Sequence, residues 1–336
     1  MNPTQPAIIR RALVSLVALS LMTPAIVSAE LAPESETPPS SDGWWTPWYL
    51  VDYGLIAAGT AGYVAGQAMW PRDDALIGPV YEPDDPISIF EAESVQRELR
   101  DETVDLTELR LIMTGPGVLL GGLEAYDWYR GKGSSQHFHD MVVGYVEAVA
   151  ITSGVTAITQ GSFGRLRPDF GERARNYHCS IEPEAYEEFC AGYVDEPLAE
   201  HGDPEHLVRD GRRAFFSGHA AHAFNGFTYA SLALGSRYLW GPDATAGSRA
   251  ATIGAQAAMM SLATYISVTR VTDARHKTSD AIAGAFVGLG VSNLSYWRRF
   301  HADGSLRRSG SRGDRGYSLR LGPAALGAGI ALTVEH

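Results

Sequence analysis

Residues 250–280 read AATIGAQAAMMSLATYISVTRVTDARHKTSD, and the break within that string decides the fold. Its first part, 250–269, carries no charge and is dominated by Ala with Met, Leu, Ile and Tyr, a length and composition that predict a helix rather than a strand. A polar turn follows, and a second apolar stretch occupies 278–297. Working outward, segments of the same kind lie at 48–70, 108–125, 139–163 and 217–240. Alternating strand patterns are scarce before residue 316. The expectation is an all-α chain with a six-helix core bundle.

The segments between these helices divide the chain. Residues 1–29 read as a secretory signal: Arg10 and Arg11 precede an apolar run at 12–27, and Val27, Ser28 and Ala29 form a small-residue cleavage site. Residues 30–43 are acidic and rich in Pro and Ser, as in a flexible tether. The helical domain then covers 44–315, with its motif-bearing core at 110–297. Two insertions interrupt it: 71–107, acidic with a short helix near 87–99, and 169–213, placed to form part of a site rim. Alternating stretches at 316–336 predict a short C-terminal β hairpin or docked tail.

At 336 residues and 45% hydrophobic content the chain can bury a sizeable core, which excludes a disordered protein. Its net charge is −12, and −14 without the leader, which excludes nucleic acid as a partner. The only cysteines, Cys179 and Cys190, stand eleven positions apart in a polar stretch. In an exported protein, periplasmic or equivalent, they predict a disulfide.

Membrane crossing is weighed from charge and parity. Asp52, Glu124 and Glu147 fall within the apolar segments, and of the six only 250–269 supplies a long uncharged run. If the leader is cleaved and all six segments cross, the chain reaches the cytoplasmic side after the third segment and carries the cysteines there. A soluble or surface-associated bundle in the exported compartment avoids that conflict, and is the expectation; an integral membrane bundle is the alternative.

Three short segments carry the chemistry. The first, Gly-Arg-Leu-Arg-Pro ending at Pro168, supplies Arg165 and Arg167, and Pro168 is expected to end the third helix. A guanidinium can fork two oxygens of one phosphate. The second, Phe-Ser-Gly-His ending at His219, sets Ser217 and Gly218 where an apolar helix starts; free N–H groups and a partial positive charge there suit an anion. Ser217 also reads simply as an N-cap, and His222 and Asn225 as a polar patch inside the bundle. The third, Thr-Arg-x5-His-x3-Asp over 269–280, places His276 four residues before Asp280. On one helix face that carboxylate accepts the imidazole Nδ1 proton and leaves Nε2 nucleophilic. His137, His139 and Asp140 resemble a metal cluster, but at 1.5 Å per residue His139 lies about 30 Å from Gln160, which assigns them a structural or surface role at the far end.

In order, spacing and placement at helix ends, these segments resemble the type 2 phosphatidic acid phosphatase and vanadium haloperoxidase superfamily, whose pattern is Lys-x6-Arg-Pro, Pro-Ser-Gly-His and Ser-Arg-x5-His-x3-Asp on a six-helix core. The resemblance covers roughly 110–297. It implies a phosphatase of the acid phosphatase or phosphatidate type, with His276 the nucleophile forming a phosphohistidine, Asp280 its orienting partner and His219 the general acid. Arg167, Arg270, Ser217 and the Gly218 backbone would bind the phosphoryl oxygens. No metal or other cofactor is implied for the phosphatase branch; vanadate enters only in the haloperoxidase alternative. The implied partners are a phosphorylated lipid or small phosphoester and, for a lipid, a membrane surface.

Phe216 and Thr269 replace the pattern's proline and serine without altering the groups nearest phosphate. Gln160 is the larger departure, an amide where the pattern has lysine. It still donates hydrogen bonds, but losing a charge-assisted bond to a dianion costs on the order of 1.5 to 3 kcal/mol unless another cation replaces it. Arg165 and Lys277 are the nearest candidates. If none does, a noncatalytic binding protein with a decayed site is a further alternative.

Overall fold

The computed structural model describes residues 47–69, 102–171 and 204–307, with Arg173, Tyr177, Cys179, Glu184 and 187–190 between them. The predicted leader, tether, 87–99 helix and C-terminal tail lie outside the described residues. The elements are α1 (Pro47–Ala68), α2 (Glu102–Tyr129), α3 (Ser135–Phe163), the short α4 (Glu187–Cys190) and α5 (Pro204–Gly211), then α6 (Gly218–Tyr238), α7 (Ala246–Thr272) and α8 (Thr278–Trp297). All six expected helices are present. Among the described residues β pairing is limited to a bridge between Phe300 and Leu306.

Local chemistry sets the helix ends. Ser134 caps α3 by accepting the His137 N–H (3.0 Å), and Thr245 and Ser248 form a capping box at the start of α7. The third helix stops earlier than Pro168 predicts. It ends at Phe163 because Gly164 adopts φ 60°, a left-handed C-cap that costs a residue without Cβ little.

Central α6 packs against α2, α3, α7 and α8. Phe224 and Ala223 join Met260 and Leu289 in one apolar cluster, while Tyr229 joins Met141, Tyr296 and Phe300 in a second. Asn225 donates through Nδ2 to the Ala148 carbonyl (2.8 Å), and Ser153 Oγ lies 3.3 Å from His222 Nε2, so this polar patch ties α6 to α3. On the other side α1 meets α3 at backbone distance. A Cβ built on Gly59 would lie 2.5 Å from the Ala150 carbonyl carbon, and one on Gly66 2.4 Å from that of Ala157.

The three acidic residues that weakened the membrane reading do not face outward. Asp52 and Glu147 are buried at one end of the bundle, paired with Arg299 (3.0 and 2.6 Å) and with Arg298. Glu124 is buried against Arg237 and His137. His139 packs edge-on against Tyr49, so the predicted metal-like cluster does belong to structural contacts at this far end. Among the described residues, no exposed charge occurs at 53–66 on α1, 111–126 on α2, 141–163 on α3, 250–269 on α7 or 281–297 on α8. The exposed side chains there include Val64, Val118, Val146, Val155, Leu262 and Phe286. By length and composition two of the helices, α3 and α7, are apolar enough to cross a membrane.

Candidate functional site

The three motifs meet at the opposite end of the bundle. Beyond Gly164, residues 165–167 run alongside 211–214: Arg167 N–H donates to the Gly211 carbonyl (2.8 Å) and Ala214 N–H to the Arg165 carbonyl (3.0 Å). Ser217 caps α6, its Oγ accepting the Ala220 N–H (3.4 Å) and its own N–H donating to the Asp280 carbonyl (3.0 Å). The N-cap reading of Ser217 therefore holds in this structure. The turn after α7 folds back through Ala274, at φ 52°, so that the N–H groups of Arg275 and His276 both reach the Arg270 carbonyl (3.0 and 3.1 Å). That turn delivers His276 to the site.

His276 is 3% exposed, and its Nδ1 lies 2.8 Å from the Ala214 carbonyl. A carbonyl only accepts, so Nδ1 carries the proton and Nε2 keeps a lone pair. Burial, then the Arg167 guanidinium, hold this imidazole well below the ordinary histidine pKa, against the pull of the Ala214 bond; His219 adds to the lowering. Neutral His276, Arg167 and His219 thus share one electrostatic neighbourhood. The group on Nδ1 differs from the expected Asp280. Helix α8 begins at Thr278, so His276 precedes the N-cap and the same-face i, i+4 geometry never forms. Asp280 instead accepts from the Lys277 N–H (2.8 Å) and pairs with Arg165 Nη1 (2.6 Å).

The two arginines expected to bind phosphate differ in setting. Arg167, 12% exposed, is held at Nη2 by Asp210 (2.8 Å), whose other oxygen takes Arg173 (3.1 Å), which also pairs with Asp169 (3.1 Å). Burial lowers its proton affinity, and Asp210 works against that. Arg270 is 2% exposed, and its Nη2 pairs with Glu108 of α2 (2.9 Å) and Asp273 (3.4 Å), toward α2. Gln160 donates through Nε2 to the Phe216 carbonyl (2.9 Å), close to Gly218.

Sequence reasoning treated 169–213 as a rim. Its α5 carries Asp210, and Arg213 anchors the segment by donating to the C-terminal carbonyls of α1 at Gly66 (3.0 Å) and Met69 (2.8 Å), where the helix dipole favours a cation. Asp210 had no visible signal beyond lying between motifs; the pair Asp169 and Arg173, four apart, was legible. Cys179 and Cys190 form the expected disulfide, with Cα atoms 5.5 Å apart. Among the described residues no group of three His, Cys, Asp or Glu side chains is placed to hold a metal ion.

The PAP2 superfamily matches residues 141–302. A PA-phosphatase related-family protein of Dictyostelium discoideum is 28% identical over 77% of this chain and 82% of its own length. Phospholipid phosphatase 2 of Rattus norvegicus is 26% identical over 55% of this chain, which spans 65% of that protein. Lipid phosphate phosphatase 2 of Arabidopsis thaliana is 26% identical over 64% of this chain and 70% of its own. No solved structure shows a significant match.

Proposed function

We propose that this chain, which belongs to the PAP2 superfamily, hydrolyses phosphomonoesters of lipids through a phosphohistidine on His276, without a metal. The observation that carries the reading is the convergence of a neutral imidazole, protonated on Nδ1 by its bond to Ala214, with Arg167 and His219. Nε2 attacks phosphorus in line and forms the N–P bond as the ester P–O bond breaks; His219 gives its proton to the leaving oxygen. His219, now a base, takes a proton from water, whose oxygen displaces Nε2 and releases inorganic phosphate. Arginine charge, led by Arg167, balances the phosphoryl oxygens, the work a metal would otherwise do.

A lipid substrate accords with the names of the relatives and with the surface. The uncharged belt on α1, α2, α3, α7 and α8 fits hydrocarbon, while Asp52, Glu124 and Glu147 are paired inside. We therefore read the bundle as embedded in a membrane, contrary to the soluble expectation. The site shares its end of the bundle with the disulfide-bearing segment, which suits an oxidising compartment, and the opposite end carries Arg130, Lys132 and Arg307, which suit the cytoplasmic side. Six crossings and the disulfide are then compatible when α1 is entered from the inner face, which requires that residues 1–29 do not carry the chain across as the secretory leader expected from sequence.

The test uses the full chain in detergent with phosphatidate in mixed micelles and a chelator present. Phosphate release, together with an acid-labile, base-stable phosphoenzyme after rapid quench, is expected. Dependence on an added divalent cation, or an acid-stable phosphoenzyme, would overturn the mechanism.

The buried histidine sets the pH response. Since His276 titrates well below 6.5 when folded, nucleophile protonation places the acid limb of kcat/KM below that range. Stability falls in the same direction, beginning at a higher pH. The unfolded chain protonates this histidine near 6.5 while the folded chain resists, so acidification favours unfolding and its contribution is lost as pH falls through the folded pKa. Profiles of kcat/KM and Tm across pH 4 to 8 check both; an acid limb at or above 6.5 that tracks His276 contradicts the assignment.

A further inference from the structure

Gln160 stands where a dianion site of this pattern has a cation, and its amide is already engaged with the Phe216 carbonyl (2.9 Å). So placed, it holds the 214–217 segment and brings no charge. Arg165 crosses the same segment. Its carbonyl accepts from Ala214 N–H (3.0 Å), the residue whose own carbonyl orients His276 (2.8 Å). Its guanidinium lies over the Phe215 ring (5.9 Å), and Nη1 donates to Asp280 Oδ1 (2.6 Å) and Ser279 Oγ (3.1 Å). Asp280 is fully buried and the Arg165 side chain 13% exposed. Among the described residues Arg165 Nη2 makes no hydrogen bond, and Nε is buried without a partner.

We propose that Asp280 is a positioning residue for Arg165 rather than for His276, and that Arg165, fixed in this way, supplies the phosphoryl oxygens with the cation that Gln160 lacks. The inference rests on the site binding phosphate. A free arginine surrenders rotamer freedom when it closes on an anion; one already fixed by a buried carboxylate and an aromatic ring has little left to lose. Its planar fork also lets one edge meet Asp280 while the other faces a ligand. The pairing is reciprocal, because a carboxylate buried as deeply as Asp280 needs a cationic partner. In this chain, then, the aspartate of the third motif and the arginine two places before Arg167 form a single device.

The test measures inorganic phosphate binding by calorimetry, and kcat and KM on an aryl phosphate, with the full chain in detergent. Arg165→Gln is expected to weaken phosphate binding about tenfold to a hundredfold, the scale of a lost charge-assisted bond. Asp280→Asn should weaken it comparably, and the double variant should be no worse than the weaker single variant, since both remove one device. Adding Gln160→Lys to Arg165→Gln should restore most of the affinity. Effects that multiply in the double variant, or an Asp280→Asn variant that binds phosphate normally and loses only kcat, would overturn the proposal and return Asp280 to the nucleophile. If Arg165→Gln does not fold, Arg165→Lys serves: it should bind phosphate within a few fold of wild type, and normal binding by Asp280→Asn again overturns the idea. Wild-type chain that binds phosphate but turns over no phosphoester defeats the proposed function alone. Turnover with phosphate affinity unchanged in Arg165→Gln and Asp280→Asn defeats this inference alone.

Discussion

Replacing His276 with alanine will reduce phosphate release by about 10⁴-fold or more and abolish the trapped phosphoenzyme, the scale at which loss of a covalent nucleophile appears in other hydrolases. The effect follows from a short chain of contacts. The Ala214 carbonyl fixes the proton on Nδ1 (2.8 Å), burial keeps the ring uncharged, and Arg167 discourages its protonation further. Burial and Arg167 keep the ring neutral against the pull of the Ala214 bond, and that bond directs the one remaining proton to Nδ1, so the lone pair sits on Nε2. The substitution also leaves the Ala214 carbonyl without its donor, a cost of about 1 to 3 kcal/mol that lowers Tm without unfolding the chain. Steady-state release and rapid-quench trapping on the folded variant decide the matter: release within a hundredfold of wild type, or a phosphoenzyme that survives, places the nucleophile elsewhere.

The largest stability loss is expected at a residue remote from the chemistry. Gly66→Leu must place a Cβ 2.4 Å from the Ala157 carbonyl carbon and 2.5 Å from Ile158 N, both backbone atoms that cannot rotate away. Helix α1 must therefore lift from α3, at a cost of about 3 kcal/mol or more. Function falls with it, because the Gly66 and Met69 carbonyls at the end of α1 hold Arg213, one residue from Ala214 and three from Asp210. Melting in detergent and kcat measured below the new Tm read both consequences. Gly254→Ala provides the contrast, since its Cβ would meet nothing within 4 Å and its Tm should stay close to wild type. Equal melting of Gly66→Leu and wild type would show that α1 and α3 do not pack as described.

The bundle was legible because six apolar runs of helical length are separated by polar turns, a pattern that needs no tertiary information. The disulfide was legible because only two cysteines exist. What the sequence withheld was direction. Spacing brought His276 and Asp280 within one helical turn on paper, but whether that turn is helical depends on a start at Thr278, fixed by a cap rather than by the motif. Arg167 could be seen as a cation, yet its support by Asp210 arises from a fold-back of 43 residues that no local pattern encodes. The burial of the acidic residues inside apolar segments was hidden for a similar reason. Asp52 and Glu147 speak against a membrane only if they face it, and their partners Arg298 and Arg299 lie some 150 residues beyond Glu147.

The side chains on the outer belt take no part in the contacts that build the site. Val64, Val118, Val146, Leu262 and Phe286 point away from the bundle, whereas His276, Arg165, Arg167, Asp210 and Asp280 are joined to one another and to main-chain groups at one end. Solvent compatibility and chemistry are therefore written in separate residues. The outer surface could be rewritten in polar side chains with the reacting groups unchanged. The same separation leaves natural variants free to drift in the size and shape of the belt side chains while the interior stays fixed.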